Sequence, residues 1–137
     1  MLKELIAVKK KMKILGVSML TSLDESDLKS FGIKLSNIKY VEKLCILGIK
    51  AGIDGLVSSA REVGNLKQKI KKKIIFVTPG VRLQKNLVQD QKRVVSPGQA
   101  IKAGSSILII GREVTQSKSP IDVLKKISDD IEVSIGS

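Results

Sequence analysis

The sequence predicts an α/β protein of four consecutive βα units, with parallel strands in one sheet and helices packed against it. Short apolar runs alternate four times with helix-like segments of mixed polarity. A strand–helix–strand order requires right-handed crossovers between parallel strands. No stretch rich in proline, glycine or serine divides the 137 residues. A single domain over residues 1–137 is therefore predicted.

Four runs are predicted as strands because they are rich in Ile, Leu and Val and end in small or turn-forming residues. The first, "ILGVSML", is apolar throughout, which favours a strand buried on both faces. Pro79 closes the third run, because proline cannot donate a ladder hydrogen bond. The predicted strands are residues 14–20, 53–59, 74–79 and 106–111.

The intervening segments carry the start and stop signals of helices. Ser22 or Asp24 caps one of them, and Gly32 ends it. A later segment has Ser96 at the N-cap, proline next and Gly104 just past its end, an order typical of short helices. The predicted helices are residues 2–12, 22–32, 36–52, 60–73, 96–104 and 119–131.

Charge and composition narrow the possible functions. The formal net charge is +12, with lysines clustered at 9–11 and 69–73. These lysines are interpreted mainly as solvated helix faces and ends. Aromatic residues are 2% of the chain, which argues against stacking nucleic-acid bases on aromatic platforms. Nucleic acid is not the expected partner, although a basic nucleic-acid-binding protein stays open as an alternative.

The one cysteine, Cys45, lies in an apolar helical pattern and is predicted to pack in the core. The chain has no histidine, so a Cys/His metal cluster is not expected, and no cofactor is predicted. No apolar run approaches the ~18 residues of a membrane span. The expected location is a reducing cytoplasm, with no membrane partner.

In parallel α/β proteins, the loops after the strand carboxyl ends carry the chemistry. Here glycine and arginine follow two neighbouring strands. Glycine lets a backbone N–H approach an anion, and arginine adds a bidentate charged grip. A phosphate site fits this pattern, but a tight turn and a surface cation fit it too, so spacing alone leaves both open. The loop residues are Thr21, Ser22, Ser58, Ser59, Thr78 to Arg82, Gly111 and Arg112.

The stretches "VTPGVR", "DQKRVVSPGQAIKAG" and "ILIIGR" occur in this order. Together they resemble the C-terminal half of the orotidine 5′-phosphate decarboxylase family. "ILGVSMLTSLDESDL" is similar to the fifth strand and following loop of the bacterial enzymes, and "AGIDGLVSSAREV" to the sixth. The resemblance covers nearly the whole chain. It implies that the four βα units are the C-terminal half of a (β/α)₈ TIM barrel.

The resemblance also implies residue roles toward a nucleotide monophosphate similar to orotidine or uridine monophosphate. Arg112 would hold the phosphate beside the backbone of Gly111, and Arg82 would lie on the same side. Gln91 would bridge the phosphate and pyrimidine ends, and Thr21 would contact the base. Gln89 departs from the family's usual glycine before Asp-Gln, so the loop over the phosphate is expected to differ.

The family's chemistry rests on an Asp-x-Lys-x-x-Asp motif, whose lysine protonates the carbon that loses carbon dioxide. The nearest match here, Asp27-Leu28-Lys29, has Gly32 in place of the second aspartate and lies in a predicted helix. Lys29 is therefore interpreted as a solvated helix residue, and no catalytic residue is assigned. A full barrel also needs about 250 residues.

The resulting prediction is a homologue from UMP (pyrimidine) biosynthesis that keeps the nucleotide-binding half of the decarboxylase, a carbon–carbon lyase, and is inactive alone. The alternative is the C-terminal subunit of a split decarboxylase. Four strands would leave two unpaired edges and an open apolar inner face, both of which favour association. The expected protein partner is therefore a second copy or a chain carrying the missing N-terminal half-barrel.

Overall fold

The computed structural model describes residues 1–20, 23–83 and 95–136. Within these residues, four parallel strands form one sheet in the order β1-β2-β3-β4, as the sequence predicts. Each strand is shorter than its apolar run, because the residues at the ends of each run do not continue the regular ladder. The strands are β1 (Leu15–Val17), β2 (Gly55–Val57), β3 (Ile75–Thr78) and β4 (Ile107–Leu108).

The six predicted helices are all present, and a four-residue helix follows β4 in addition. The first helix ends at Val8, short of the predicted residue 12, and Lys10 adopts a left-handed φ of 47°. Asp24 caps the second helix, accepting the N–H groups of Ser26 and Asp27. The helices are α1 (Leu2–Val8), α2 (Glu25–Ser30), α3 (Asn37–Ala51), α4 (Ala60–Lys69), α5 (Pro97–Ala103), α6 (Arg112–Thr115) and α7 (Pro120–Gly136).

One face of the sheet packs against helices and forms the main core. Leu56 and Phe76 are paired in register on this face and are almost fully buried. Val41 and Cys45 of α3 and Val63 of α4 are completely buried in the same cluster. The prediction that Cys45 packs in the core is confirmed, and burial raises the pKa of its thiol to about 11.

Among the described residues, the opposite face, called the open sheet face below, is not covered in this way over its outer strands. Side chains of registered residues in parallel strands share a face. On β1, Leu15 and Val17 are 41% and 63% exposed, and Ile107 of β4 is 50% exposed. Gly16, on the other face of β1, is half-buried, so the strand is not buried on both faces, contrary to the sequence prediction. The open sheet face consists of Leu15, Val17, Val57, Ile75, Val77 and Ile107, and of these Val77, on the inner strand β3, is buried.

The carboxylate of Asp54, which immediately precedes β2, ties the first helix to the sheet. It accepts hydrogen bonds from the Lys9 ammonium at 2.6 Å and the Ile14 N–H at 2.8 Å. Lys13 lies 3.7 Å away. The hydrogen bond from Lys9 and that from Ile14 hold the pKa of Asp54 below its usual value. Lys9 therefore has a structural partner and does not belong only to a solvated lysine cluster.

Replacement of Asp54 by Asn is expected to lower Tm at neutral pH, because the amide keeps an acceptor but loses the charge that pairs with Lys9. A carboxyl whose folded pKa is depressed stabilises the protein above its unfolded pKa of about 3.9, and this contribution fades as pH falls through the folded pKa. The Tm difference from wild type should therefore shrink in acid. Thermal melts between pH 3 and 7 measure it, with Asp129→Asn, at an exposed position of α7, as control. A difference independent of pH would contradict this account.

In the part of the chain that is described, no helix has both the length and the apolar character needed to cross a bilayer.

Candidate functional site

The carboxyl ends of β3 and β4 enclose a cavity of about 220 Å³, called the arginine cavity below. The two segments that follow these strands supply its walls. It contains Arg82, Gly111 and Arg112, three of the five site residues that the sequence indicates. Its lining residues are Pro79, Gly80, Val81, Arg82, Ile109, Gly111, Arg112 and Glu113.

The wall after β3 is held by a buried anchor. Gly80 turns the chain at a φ of 73°, a conformation that favours glycine. Val81 is 2% exposed and packs in a cluster with Ala60 and Ala100. Val81 also bridges Val95, whose carbonyl accepts the Arg82 N–H at 3.1 Å. The backbone on both sides of Arg82 is thereby fixed beside the cavity.

The wall after β4 is more open. The Ile109 N–H donates to the Thr78 carbonyl at 2.9 Å, which joins the two strand ends. Gly111 is exposed, and a Cβ added to it would meet no atom within 4 Å. A ligand atom can therefore approach this part of the backbone. Arg112 follows as an exposed cation at the start of α6.

Sequence reasoning missed Glu113, which brings a carboxylate into the arginine cavity. Its two oxygens accept the Leu83 N–H at 3.2 and 3.0 Å. Leu83 lies 30 positions away in the chain, so only the folded protein shows this contact. The described lining of the cavity thus carries two arginines and one carboxylate.

The hydroxyl groups of Ser58 and Thr78, at the carboxyl ends of β2 and β3, bond within the fold. The buried Ser58 hydroxyl donates to the Glu62 carboxylate at 2.8 Å, and the Ser59 N–H donates to the same carboxylate at 3.0 Å. The Thr78 and Ser105 hydroxyls lie 2.6 Å apart in the interior. These side chains hold helices and strands together, and they do not line the arginine cavity. A Ser-x-x-Glu spacing is a known capping signal, and Ser59 and Glu62 show it in the sequence.

The remaining sequence predictions divide between helix α2 and the undescribed residues. Asp27 and Lys29 lie in α2, where the Asp27 carboxylate accepts the Asp24 N–H at 2.7 Å and Lys29 is exposed. The partial Asp-x-Lys match is thus part of a capped helix, as predicted. Thr21, Gln89 and Gln91 lie outside the described residues. Among the described side chains, no group of three His, Cys, Asp or Glu residues could hold a metal ion.

The fold and the site together define a class: parallel α/β proteins of the βα-barrel type, with a cationic cavity at the strand carboxyl ends. A family model described as the orotidine 5′-phosphate decarboxylase / HUMPS family matches residues 1–127. The chain belongs to this family.

Curated relatives agree with this assignment. Over 127 residues the chain is 44% identical to orotidine 5′-phosphate decarboxylase from Coxiella burnetii, covering 93% of this chain and 54% of the relative. It is also 44% identical to the protein of that name from Aquifex aeolicus, covering 92% of this chain and 55% of the relative. The chain therefore spans about half the length of these relatives.

The chain also covers about half of the length of solved structures that it matches. The crystal structure of orotidine 5′-phosphate decarboxylase from Lactobacillus acidophilus superimposes with a TM-score of 0.71 at 28% identity, over 87% of this chain and 49% of that one. The enzyme of that name from Pyrococcus horikoshii gives a TM-score of 0.67 at 19% identity, over 93% of this chain and 55% of that one. At the lower identity the likeness concerns the fold alone. The chain thus has the architecture of part of a TIM barrel.

Proposed function

We propose that this chain is the phosphate-side, C-terminal half of an orotidine 5′-phosphate decarboxylase and binds the phosphate of a pyrimidine nucleoside monophosphate. One observation carries the proposal: Arg82, Gly111 and Arg112 line a single cavity. Arginine pairs with phosphate oxygens bidentately, and an accessible glycine backbone admits a close N–H contact. The residues assigned by resemblance to the phosphate side are therefore neighbours in space.

The chain is proposed to lack decarboxylase activity alone. In the printed sequence, Asp27-Leu28-Lys29 is followed by Gly32 where the family motif has its second aspartate. This segment lies in α2 and not at a strand end. Binding energy at a remote phosphate accelerates a reaction only when it is coupled to groups that stabilise the transition state. The arginine cavity would supply the binding energy, and a second polypeptide would supply the lysine–aspartate array.

The open sheet face supports the need for a second polypeptide. Val17 and Ile107 are apolar and at least half exposed, on opposite edges of the sheet. The matched structures contain roughly as much chain again as this one, since the likeness covers 49% of the Lactobacillus acidophilus enzyme. A complementary half-barrel would cover the face and pair the edges of β1 and β4. A second copy of this chain would cover the same face but would add no lysine–aspartate array.

The phosphate proposal predicts weak binding of uridine monophosphate, with Kd of about 1 mM, because this chain is proposed to carry only the phosphate side of the family's site. Arg112→Ala is expected to weaken this binding at least about tenfold, since a hydrogen bond to a charged group contributes about 1.5–3 kcal/mol. Titration calorimetry or ligand-observed NMR measures the difference.

The matched control is Arg61→Ala, which removes an exposed arginine after β2, outside the arginine cavity. Binding by this variant should equal that of wild type. Uridine should bind more weakly than its monophosphate, because it cannot reach the arginines with a charge. Equal binding by wild type and Arg112→Ala would remove Arg112 from the site and refute the proposal.

A further inference from the structure

Glu113 occupies an unexpected position for a site that takes an anion. It is adjacent to Arg112 in the chain and lines the same cavity as Arg82. Among the described lining residues, two arginines and one carboxylate give a net charge of +1. A phosphate monoester carries about −1.5 to −2 charges at pH 7. The described lining is therefore less positive than a phosphate monoester is negative, because the Glu113 carboxylate offsets one of the two arginines.

The same carboxylate has a structural contact across the cavity. Both oxygens accept the Leu83 N–H, at 3.2 and 3.0 Å, so α6 is joined to the chain that follows β3. Arg82 lies between two fixed points: its own N–H donates to the Val95 carbonyl at 3.1 Å, and the next residue is held by Glu113. Loss of the Glu113 carboxylate would release the fixed point at Leu83.

We infer that Glu113 is a positioning and charge-selecting residue of the arginine cavity. It holds the segment that carries Arg82, and its negative charge lowers the affinity for a doubly charged phosphate. The inference rests on the proposed function, because it concerns the ligand of the same cavity. Glu113 therefore has two opposing effects on binding: its contact with Leu83 favours binding, and its negative charge disfavours it. Different substitutions separate these effects.

Glu113→Gln separates the two effects. The glutamine amide oxygen can still accept the Leu83 N–H, but the like charge is gone. Coulomb repulsion between groups beside a solvent-exposed cavity is on the order of 1 kcal/mol. Uridine monophosphate and inorganic phosphate should each bind about fivefold more tightly to this variant than to wild type. Glu4→Gln removes the same charge from an exposed position on α1 and should leave the affinity unchanged.

Glu113→Ala removes both the charge and the acceptor for Leu83. It should bind phosphate more weakly than Glu113→Gln and should melt at a lower temperature than Glu113→Gln. Calorimetric titration with both probes and thermal melts of all variants provide the data. Unchanged affinity in Glu113→Gln would overturn the charge selection. Equal affinity and Tm for the Ala and Gln variants would overturn the positioning role.

These outcomes differ from failure of the proposed function. If Arg112→Ala weakens binding but Glu113→Gln leaves it unchanged, the phosphate site stands and the inference about Glu113 is wrong. If neither substitution changes binding, the cavity is not the phosphate site.

Discussion

Decarboxylation of orotidine 5′-monophosphate is expected only when this chain is mixed with a second polypeptide that carries the Asp-x-Lys-x-x-Asp half of a family member. Either polypeptide alone should give no turnover, because under the proposed function one would bind the phosphate and the other would supply the proton donor with its carboxylates. Holding these groups in one geometry contributes several orders of magnitude in rate. The expected effect is thus the appearance of activity, measured as the loss of orotate-ring absorbance.

Two variants test whether the second polypeptide binds to the open sheet face. Val17→Lys places a charge on the open sheet face, where Val17 is 63% exposed, and should prevent assembly and activity. Leu47→Lys makes the same kind of change at a residue of α3 that is 59% exposed and should leave activity intact.

Arg112→Ala should reduce turnover in the mixture. Turnover by this chain alone that is abolished in Lys29→Ala would show that Lys29 is the proton donor and that its interpretation as a solvated helix residue is wrong.

Gly98→Ala is expected to destabilise the fold by about 3 kcal/mol, because α5 meets α7 at this residue without room for a side chain. A Cβ at position 98 would collide with the Asp130 carbonyl and the Ser134 hydroxyl, and would lie 2.7 Å from the Ser134 Cβ. The Gly98 N–H also donates to the Asp130 carboxylate at 2.7 Å, so separating the helices would lengthen this bond. Tm should fall by about 10 °C, measured by calorimetry or circular dichroism.

Gly64→Ala is the matched control, because it makes the same chemical change in α4. A Cβ there meets no atom within 4 Å. Alanine is favoured over glycine inside a helix by about 0.5–1 kcal/mol, so this variant should be more stable than wild type. Equal Tm changes in the two variants would show that α5 and α7 do not meet as closely as described.

The order of strands and helices could be predicted from the sequence because its signals are local. Ser96 caps α5 by accepting the Gln99 N–H, and Gly104 ends the helix at a φ of 108°, both as its pattern indicates. The lengths of the strands and helices were less predictable from the sequence. An apolar run shows which residues avoid water, but only pairing with a neighbour defines a strand, so seven-residue "ILGVSML" contains three strand residues. Helix α6, with four residues, is too short to show periodicity.

Some residues of the candidate site could likewise be predicted from the sequence, and others could not. Gly111 and Arg112 could be indicated from sequence because they directly follow an apolar run. The roles of Ser58 and Thr78 could not, because the same hydroxyl can bind a ligand or a neighbouring side chain. Only the fold shows that Thr78 faces Ser105. Glu113 was unpredictable for a related reason: its hydrogen-bond partner is a backbone N–H from a different βα unit.

The order of the sheet has a consequence for how the chain folds. Among the described strands, each pairs with the one that precedes or follows it in the sequence, and no pairing skips a strand. The entropy lost on closing a loop grows with its length, and proteins with nearby contacts fold faster than those with remote ones. Registered partners lie 20 to 40 positions apart, as in Gly55 with Ile75 and Leu15 with Gly55, so each pairing closes a single crossover. A nascent chain can add one βα unit at a time to the sheet already formed.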